Sequence, residues 1–235
     1  MTELVGSQDG SKWAYLVRRP PSSSVLQYLV ARWQEYEQLY SDKGAPLSSR
    51  TEPELTEGLG AFLTAQLEAG LQPFDGEFFA ELSRFDLAPD GKRIIIGRSD
   101  IEWRLFGTPN FVVEFKVIGG GRPAKAYVVD GMVRFVDGRY GHRSSEGAMW
   151  AFFRPGSSEV ATDVEALIDL HTVPLRCEVE NGTHRIAPSQ LAPGTAAFDS
   201  LHKRDPIAPT IRIAHIFVQI GARAAPEKDG DNIGS

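Results

Sequence analysis

Hydrophobic residues recur at helical spacing over residues 25–40 and again over residues 51–70, and each run predicts an amphipathic helix. The second helix is expected to begin at a capping box, in which Thr51 and Glu54 satisfy each other's polar groups, and to end near Gly70. Three β-strands are predicted to follow, over residues 77–87, 93–105 and 110–118. The pattern therefore changes from a helical period to a strand period in the first half of the chain.

The second half of the chain contains both types of element. A helix is predicted over residues 124–136, followed by a short apolar strand over residues 148–153. Beyond these, the pattern predicts a helix near residues 160–170 and strands near residues 175–179 and 210–220. The central order of helix, three strands, helix and strand is typical of a mixed α/β core.

Shifts in composition divide the chain into four parts. Residues 1–50 form an N-terminal helical lead-in, and residues 51–155 form the α/β core. Residues 156–223 are predicted to be a C-terminal α/β extension packed on the core. Residues 224–235 mix Pro, Gly, Lys, Asp and Asn with little to bury, which predicts a flexible tail.

Composition and charge exclude several classes of protein. The chain of 235 residues has 25 Lys and Arg against 31 Asp and Glu, a net charge of −6, so any nucleic-acid contact must come from a local basic patch. The single cysteine, Cys177, excludes an internal disulfide network and fits a reducing compartment. No export signal and no apolar run of about 18 residues is present. We therefore expect a soluble, cytoplasmic protein that does not bind membranes.

The most informative segment is the strand predicted over residues 110–118. Alternation along a strand places Glu114 and Lys116 on one face and apolar residues on the other. The segment is otherwise apolar, as in a central strand that is covered on both sides. Two charged groups in such a strand are costly unless they pair with each other or with a metal ion. A structural ion pair and a functional site are both consistent with this pattern.

The preceding strand supplies a second carboxylate. Asp100, Glu102 and Arg104 share one face of that strand, and a hairpin connection at residues 107–110 would place it antiparallel to the next strand. Asp100 would then lie near Glu114 on the same side of the sheet. Two carboxylates beside a lysine offer hard oxygen ligands for Mg²⁺ and an ammonium group that orients water or neutralises a phosphate. This combination suits phosphodiester hydrolysis.

The arrangement of Asp100, Glu114 and Lys116, together with the order of elements in the core, resembles the PD-(D/E)xK nuclease superfamily and its restriction-endonuclease-like fold. The resemblance covers less than half of the chain, and Ser99 stands where the family's namesake proline would be. It implies that Asp100 and Glu114 bind Mg²⁺, for which Mn²⁺ can substitute, with the Phe115 carbonyl as a candidate third ligand. It also implies that Lys116 positions or activates the attacking water.

Members of this family often add a glutamate from the first helix. On a helical wheel, Glu52 projects within about 20° of the middle of the apolar stripe, which makes it the candidate for this role. A negative charge at this position also interacts favourably with the helix dipole, so a purely structural role for Glu52 stays open. The resemblance further implies phosphate contacts along the second helix and its flanks, although each of these side chains could instead belong to a solvated face. The candidates are Arg122, Lys125, Arg134, Arg139 and Arg143.

The resemblance implies a Mg²⁺-dependent deoxyribonuclease, with an endonuclease favoured over an exonuclease. The acidic net charge predicts weak DNA binding by a lone domain, which a homodimer or a partner subunit would strengthen. Residues 119–121 lack the Lys-Ser/Thr of a phosphate loop, so no nucleotide cofactor is expected. Residues 130–140, residues 201–204 and His215 also resemble bacterial defence-associated nuclease-like proteins, which implies a role in antiviral defence. Two alternatives stay open: a non-catalytic nuclease-like module that binds nucleic acid or a protein partner, and a structural subunit with an internal Glu–Lys pair.

Overall fold

The computed structural model describes seven stretches of the chain, and side chains are described in all of them except at residues 84–87 and 93–97. The predicted tail and Arg122 lie outside the described residues. The described stretches are residues 20–87, 93–119, 124–141, 143–154, 160–180, 182–204 and 210–221.

The described stretches contain four α-helices, and the first two follow the sequence pattern closely. They are α1 (Ser22–Asp42), α2 (Glu52–Glu68), α3 (Val133–Val136) and α4 (Val160–Leu170). The predicted capping box begins α2, because the backbone N–H of Thr51 donates to the Glu54 carboxylate at 2.7 Å. Gly70, with a φ of 68°, takes the left-handed conformation just beyond the end of α2.

The strands form one mixed sheet, which confirms the prediction of a mixed α/β fold. They are β1 (Glu77–Leu87), β2 (Arg93–Arg104), β3 (Phe111–Ile118), β4 (Glu146–Phe153), β5 (Arg185–Ile186), β6 (Phe198–His202) and β7 (Ile211–Gln219). The seven-stranded order is β1-β2-β3-β4-β7-β6-β5. The pairs β3–β4 and β4–β7 are parallel, and the other neighbours are antiparallel. Residues predicted as core and residues predicted as extension therefore contribute to the same sheet.

Each face of the sheet has its own hydrophobic cluster. Helices α1 and α2 cover the face that carries Val113 and Phe115, and Trp33 of α1 is fully buried there. The helical segment after β3 and α4 cover the opposite face, where Val112 and Met149 are buried. Because both faces are covered, β3 is buried along its whole length, and Glu114 and Lys116 lie inside the molecule.

Four elements differ from the sequence prediction. The helix predicted over residues 124–136 is mostly a π-helix, Ala126–Met132, which continues into α3. The strand predicted near residues 175–179 is wrong: turns precede Cys177, which forms only an isolated bridge to His202. The sequence pattern does not predict β5, which has only two residues, or β6, whose buried Asp199, Ser200 and His202 give no apolar alternation.

Candidate functional site

The candidate site forms where β2 and β3 separate. The two strands pair from Trp103↔Phe111 to Ile101↔Val113, and Asp100 and Glu114 are the next residues on each strand. Beyond this point, the N–H groups of β3 donate to side-chain carboxylates. The N–H of Phe115 donates to Asp100 Oδ2 at 2.7 Å, and the N–H of Val117 donates to Glu52 Oε2 at 3.1 Å. The carboxylates thus accept the hydrogen bonds that the backbone of a paired strand would otherwise accept, and these bonds fix the acids beside β3.

Lys116 lies at the centre of these acids. Its Nζ is 2.8 Å from Glu114 Oε1 and 2.8 Å from Glu52 Oε1, and it lies 4.0 Å from Asp100 Oδ2. It also donates to the carbonyl oxygen of Phe115 at 2.7 Å. The ammonium group therefore occupies the space among the oxygen atoms that the sequence analysis proposed as metal ligands. The structure brings Asp100, Glu114, Lys116 and Glu52 together in one cluster.

Glu114 is the most buried member of the cluster, with a side chain that is 0% exposed. Its Oε1 accepts hydrogen bonds from two cations, because Arg134 Nη1 lies 2.8 Å from the same oxygen as Lys116. Its Oε2 is buried and accepts no hydrogen bond from the described residues. A buried carboxylate oxygen without a partner is costly and requires a physical explanation.

The pKa values reflect burial and the crowding of acids. Burial raises the pKa of Asp100 well above its usual value, and the Glu114 carboxylate raises it further, while Lys116 and the Phe115 N–H act in the opposite direction. Burial alone would lower the pKa of Lys116, but the carboxylates of Glu114, Asp100 and Glu52 raise it to about 12. Lys116 therefore stays charged at neutral pH, whereas Asp100 binds a proton more readily than an exposed aspartate.

The cluster opens on a cavity of about 450 Å³. Its walls include Glu52, Lys116, Val117, Asp130, Arg134 and Arg139. The π-helix comes close to the cluster at Gly131, where an added Cβ would lie 2.5 Å from Met149 Cε and 3.7 Å from Lys116 Cε. Clefts of about 610 and 660 Å³ lie elsewhere, beside Ser22 and beside Phe106. We assign the candidate site to the smaller cavity because Glu52, Lys116 and Arg134 line it, and the last two contact the buried Glu114.

The proposed phosphate-contact residues have different surroundings. Lys125 and Arg143 are exposed. Arg139 lines the cavity and pairs with Asp137 at 2.7 Å. Arg134 contacts Glu114 and Tyr140, so its guanidinium is engaged inside the cluster. The fifth candidate, Arg122, lies outside the described residues. Of the four candidate residues that the structure describes, Arg139 alone is both exposed and part of the cavity wall.

The donors of the cluster fit a hard divalent cation in kind. They are carboxylate and carbonyl oxygens, and the unpartnered Oε2 of Glu114 is available to a further cation. Among the described residues, however, no group of three or more His, Cys, Asp or Glu side chains is arranged to hold a metal ion. The Lys116 ammonium already lies among the oxygen atoms of the cluster. A divalent ion would therefore compete with Lys116 for these oxygens.

Sequence reasoning missed the link from Arg134 to Tyr140. Arg134 Nη1 donates to the hydroxyl oxygen of Tyr140 at 2.7 Å, and that hydroxyl donates to the carbonyl oxygen of Arg98. Tyr140 is fully buried, and its ring contacts Phe135 edge-on at 5.4 Å. The only available signal was a tyrosine shortly after a helix, which is too common to indicate a contact with the site.

No protein-family model, no curated protein and no solved structure matches this chain. Among the described helices, none is long and apolar enough to cross a membrane.

Proposed function

We propose that this protein is a divalent-metal-dependent nuclease with a restriction-endonuclease-like core, which hydrolyses DNA phosphodiester bonds with Mg²⁺, or with Mn²⁺ as a substitute. The observation that carries the proposal is the convergence of Asp100, Glu114 and Lys116 at the separation of β2 and β3, beside a cavity. Glu52 joins them from the N-terminal turn of α2. Endonuclease activity in antiviral defence is part of the same proposal.

Each side chain has a role in this reaction. Asp100 and Glu114 would hold the ion, with the Phe115 carbonyl and Glu52 nearby as further oxygen donors. When bound, a divalent ion supplies positive charge against the charge that develops at phosphorus. Lys116, which stays protonated at neutral pH, donates hydrogen bonds and so orients the attacking water or the phosphate. Hydrolysis then joins the water oxygen to phosphorus and breaks the bond to the leaving sugar oxygen, which takes up a proton.

Binding of DNA needs local positive charge, because the chain has a net charge of −6. Arg139 lines the cavity, and Lys125 and Arg143 are exposed, so these residues are the proposed phosphate contacts. A homodimer or a partner subunit would add further contacts, and it would supply a second active site for a cut in each strand of a duplex.

The experiment compares cleavage of plasmid and linear DNA by the wild type, Asp100→Asn and Glu114→Ala in Mg²⁺, in Mn²⁺ and in chelator. Glu57→Ala, an exposed position of α2, is the matched control. We expect cleavage by the wild type and the control only when metal is present, and none by either variant. Equal cleavage by the wild type and Asp100→Asn would refute the proposed function.

One observation favours a second function, that of a non-catalytic nuclease-like module. The Lys116 ammonium fills the space among the oxygen atoms and pairs with Glu114 and Glu52 at 2.8 Å each, as an internal ion pair would. In that case, the protein would bind nucleic acid or a protein partner without metal, and Asp100→Ala would leave binding unchanged. The same cleavage assay, combined with DNA binding in chelator, separates the two functions.

A further inference from the structure

Arg134 is the second cation at Glu114, and its contacts connect three elements. Its Nη1 lies 2.8 Å from Glu114 Oε1 on β3 and 2.7 Å from the hydroxyl oxygen of Tyr140, which follows α3. The Tyr140 hydroxyl donates in turn to the carbonyl of Arg98 on β2, two residues before Asp100. A continuous chain of hydrogen bonds therefore joins the two strands that carry the acids at the place where they separate.

This chain makes the two oxygens of Glu114 unequal. Lys116 and Arg134 both donate to Oε1, and Oε2 is buried with no partner among the described residues. Turning the carboxylate about its Cγ–Cδ bond would break two charge-assisted hydrogen bonds, so the contacts hold it in one orientation. That orientation keeps one buried oxygen uncommitted, at a cost that a cation at Oε2 would relieve.

We propose that Arg134 and Tyr140 are positioning residues, which hold the Glu114 carboxylate so that its Oε2 can accept a divalent cation. This inference rests on the proposed metal-dependent function. It gives Arg134 a role different from the phosphate contact expected from the sequence. Tyr140 acts through Arg134, since its hydroxyl contacts Arg134 and the Arg98 carbonyl in this chain of bonds.

The test is direct titration of the full-length protein with Mn²⁺, followed by electron paramagnetic resonance without DNA. Tyr140→Phe keeps every charge and the ring but loses the hydroxyl, and Arg134→Lys keeps the charge but loses the planar fork. We expect each variant to bind Mn²⁺ about 10-fold more weakly, the range for a partner that orients a metal ligand. Circular dichroism of each variant at the titration temperature establishes that it is folded.

The possible results separate positioning from simple charge. If Arg134 acted only as a nearby positive charge, Arg134→Met would bind Mn²⁺ more tightly than the wild type, and Tyr140→Phe would bind it equally well. That pattern would overturn the inference and leave the proposed function intact. An absence of Mn²⁺ binding by the wild type would overturn both. Weaker binding by folded Tyr140→Phe and Arg134→Lys would support positioning, because a role in stability alone would not change the affinity of the folded protein.

Discussion

The replacement of Lys116 by methionine tests the competition between the ammonium group and a metal ion. Methionine keeps much of the length and apolar stem of lysine but has no charge. The surrounding acids, working against burial, raise the pKa of Lys116 from 10.5 to about 12, which corresponds to about 2 kcal/mol of net stabilisation of the charged amine. A divalent ion that displaces the ammonium from these oxygens must overcome this stabilisation.

We therefore expect Lys116→Met to bind Mn²⁺ about 30-fold more tightly than the wild type, since about 2 kcal/mol corresponds to that ratio. In chelator, the same change should lower the free energy of unfolding by about 2 kcal/mol, because the acids lose their nearest cation. Mn²⁺ should raise the melting temperature of the variant more than that of the wild type. DNA cleavage should nevertheless be lost with the hydrogen-bond donor.

Calorimetric titration with Mn²⁺ measures the affinity, and urea unfolding in chelator measures the stability. Lys203→Met, at an exposed lysine just after β6, is the control and should leave both quantities unchanged. Affinity for Mn²⁺ equal to that of the wild type, or weaker, would refute the idea that Lys116 and the metal ion compete for the same oxygens.

Three further changes probe the buried charges. The pKa of Asp100 is raised in the folded protein, so its ionisation opposes folding as the pH rises through that pKa. Asp100→Asn should therefore be at least as stable as the wild type in chelator at pH 7. A clear loss of stability in urea unfolding would contradict this. Glu114→Ala leaves Lys116 without its buried partner and should lower the free energy of unfolding by about 3–5 kcal/mol, against little change for Glu57→Ala in the same urea assay. Burial lowers the pKa of His202 to about 4, so the stability that the neutral imidazole contributes is present above about pH 6.5 and is lost as the pH falls towards 4. The loss amounts to about 3 kcal/mol in the free energy of unfolding. Unfolding curves measured at a series of pH values should show this loss in the wild type and a smaller loss in His202→Gln.

The features predicted correctly from the sequence are those that depend on local periods. The alternation of β3 placed Glu114 and Lys116 on one face, and the capping box of α2 needed only Thr51 and Glu54, which are three residues apart. The helical wheel predicts that Glu52 lies near the apolar side of α2, and in the structure Glu52 accepts a hydrogen bond from Lys116. Patterns among neighbouring residues therefore indicate the acids and the amine that lie together in the structure.

The features that were missed depend on contacts between distant segments. In β6, Ser200 and His202 are buried because Ser200 Oγ lies 2.6 Å from His202 Nε2 and 2.8 Å from His215 Nε2, a partner on another strand. A strand whose buried positions are polar gives no hydrophobic alternation, so β6 was not recognised. The sequence predicts Arg134 as a phosphate contact, and its contact with Glu114 was missed for the same reason, since the two residues lie twenty positions apart.

The balance of charge in the cluster explains why one arrangement is compatible with both proposed functions. Three acids, Glu52, Asp100 and Glu114, face two cations, Lys116 and Arg134, and the raised pKa of Asp100 brings the cluster closer to neutrality without any metal. An internal ion pair and a metal site with lysine in place are therefore hard to distinguish until a divalent ion is added. A structural cluster would then repel the ion through the positive charges of Lys116 and Arg134. A metal site would instead release Lys116 towards the adjoining cavity and bind the ion through Asp100 and Glu114. Mn²⁺ affinity in the absence of DNA thus separates the two functions before any cleavage is measured.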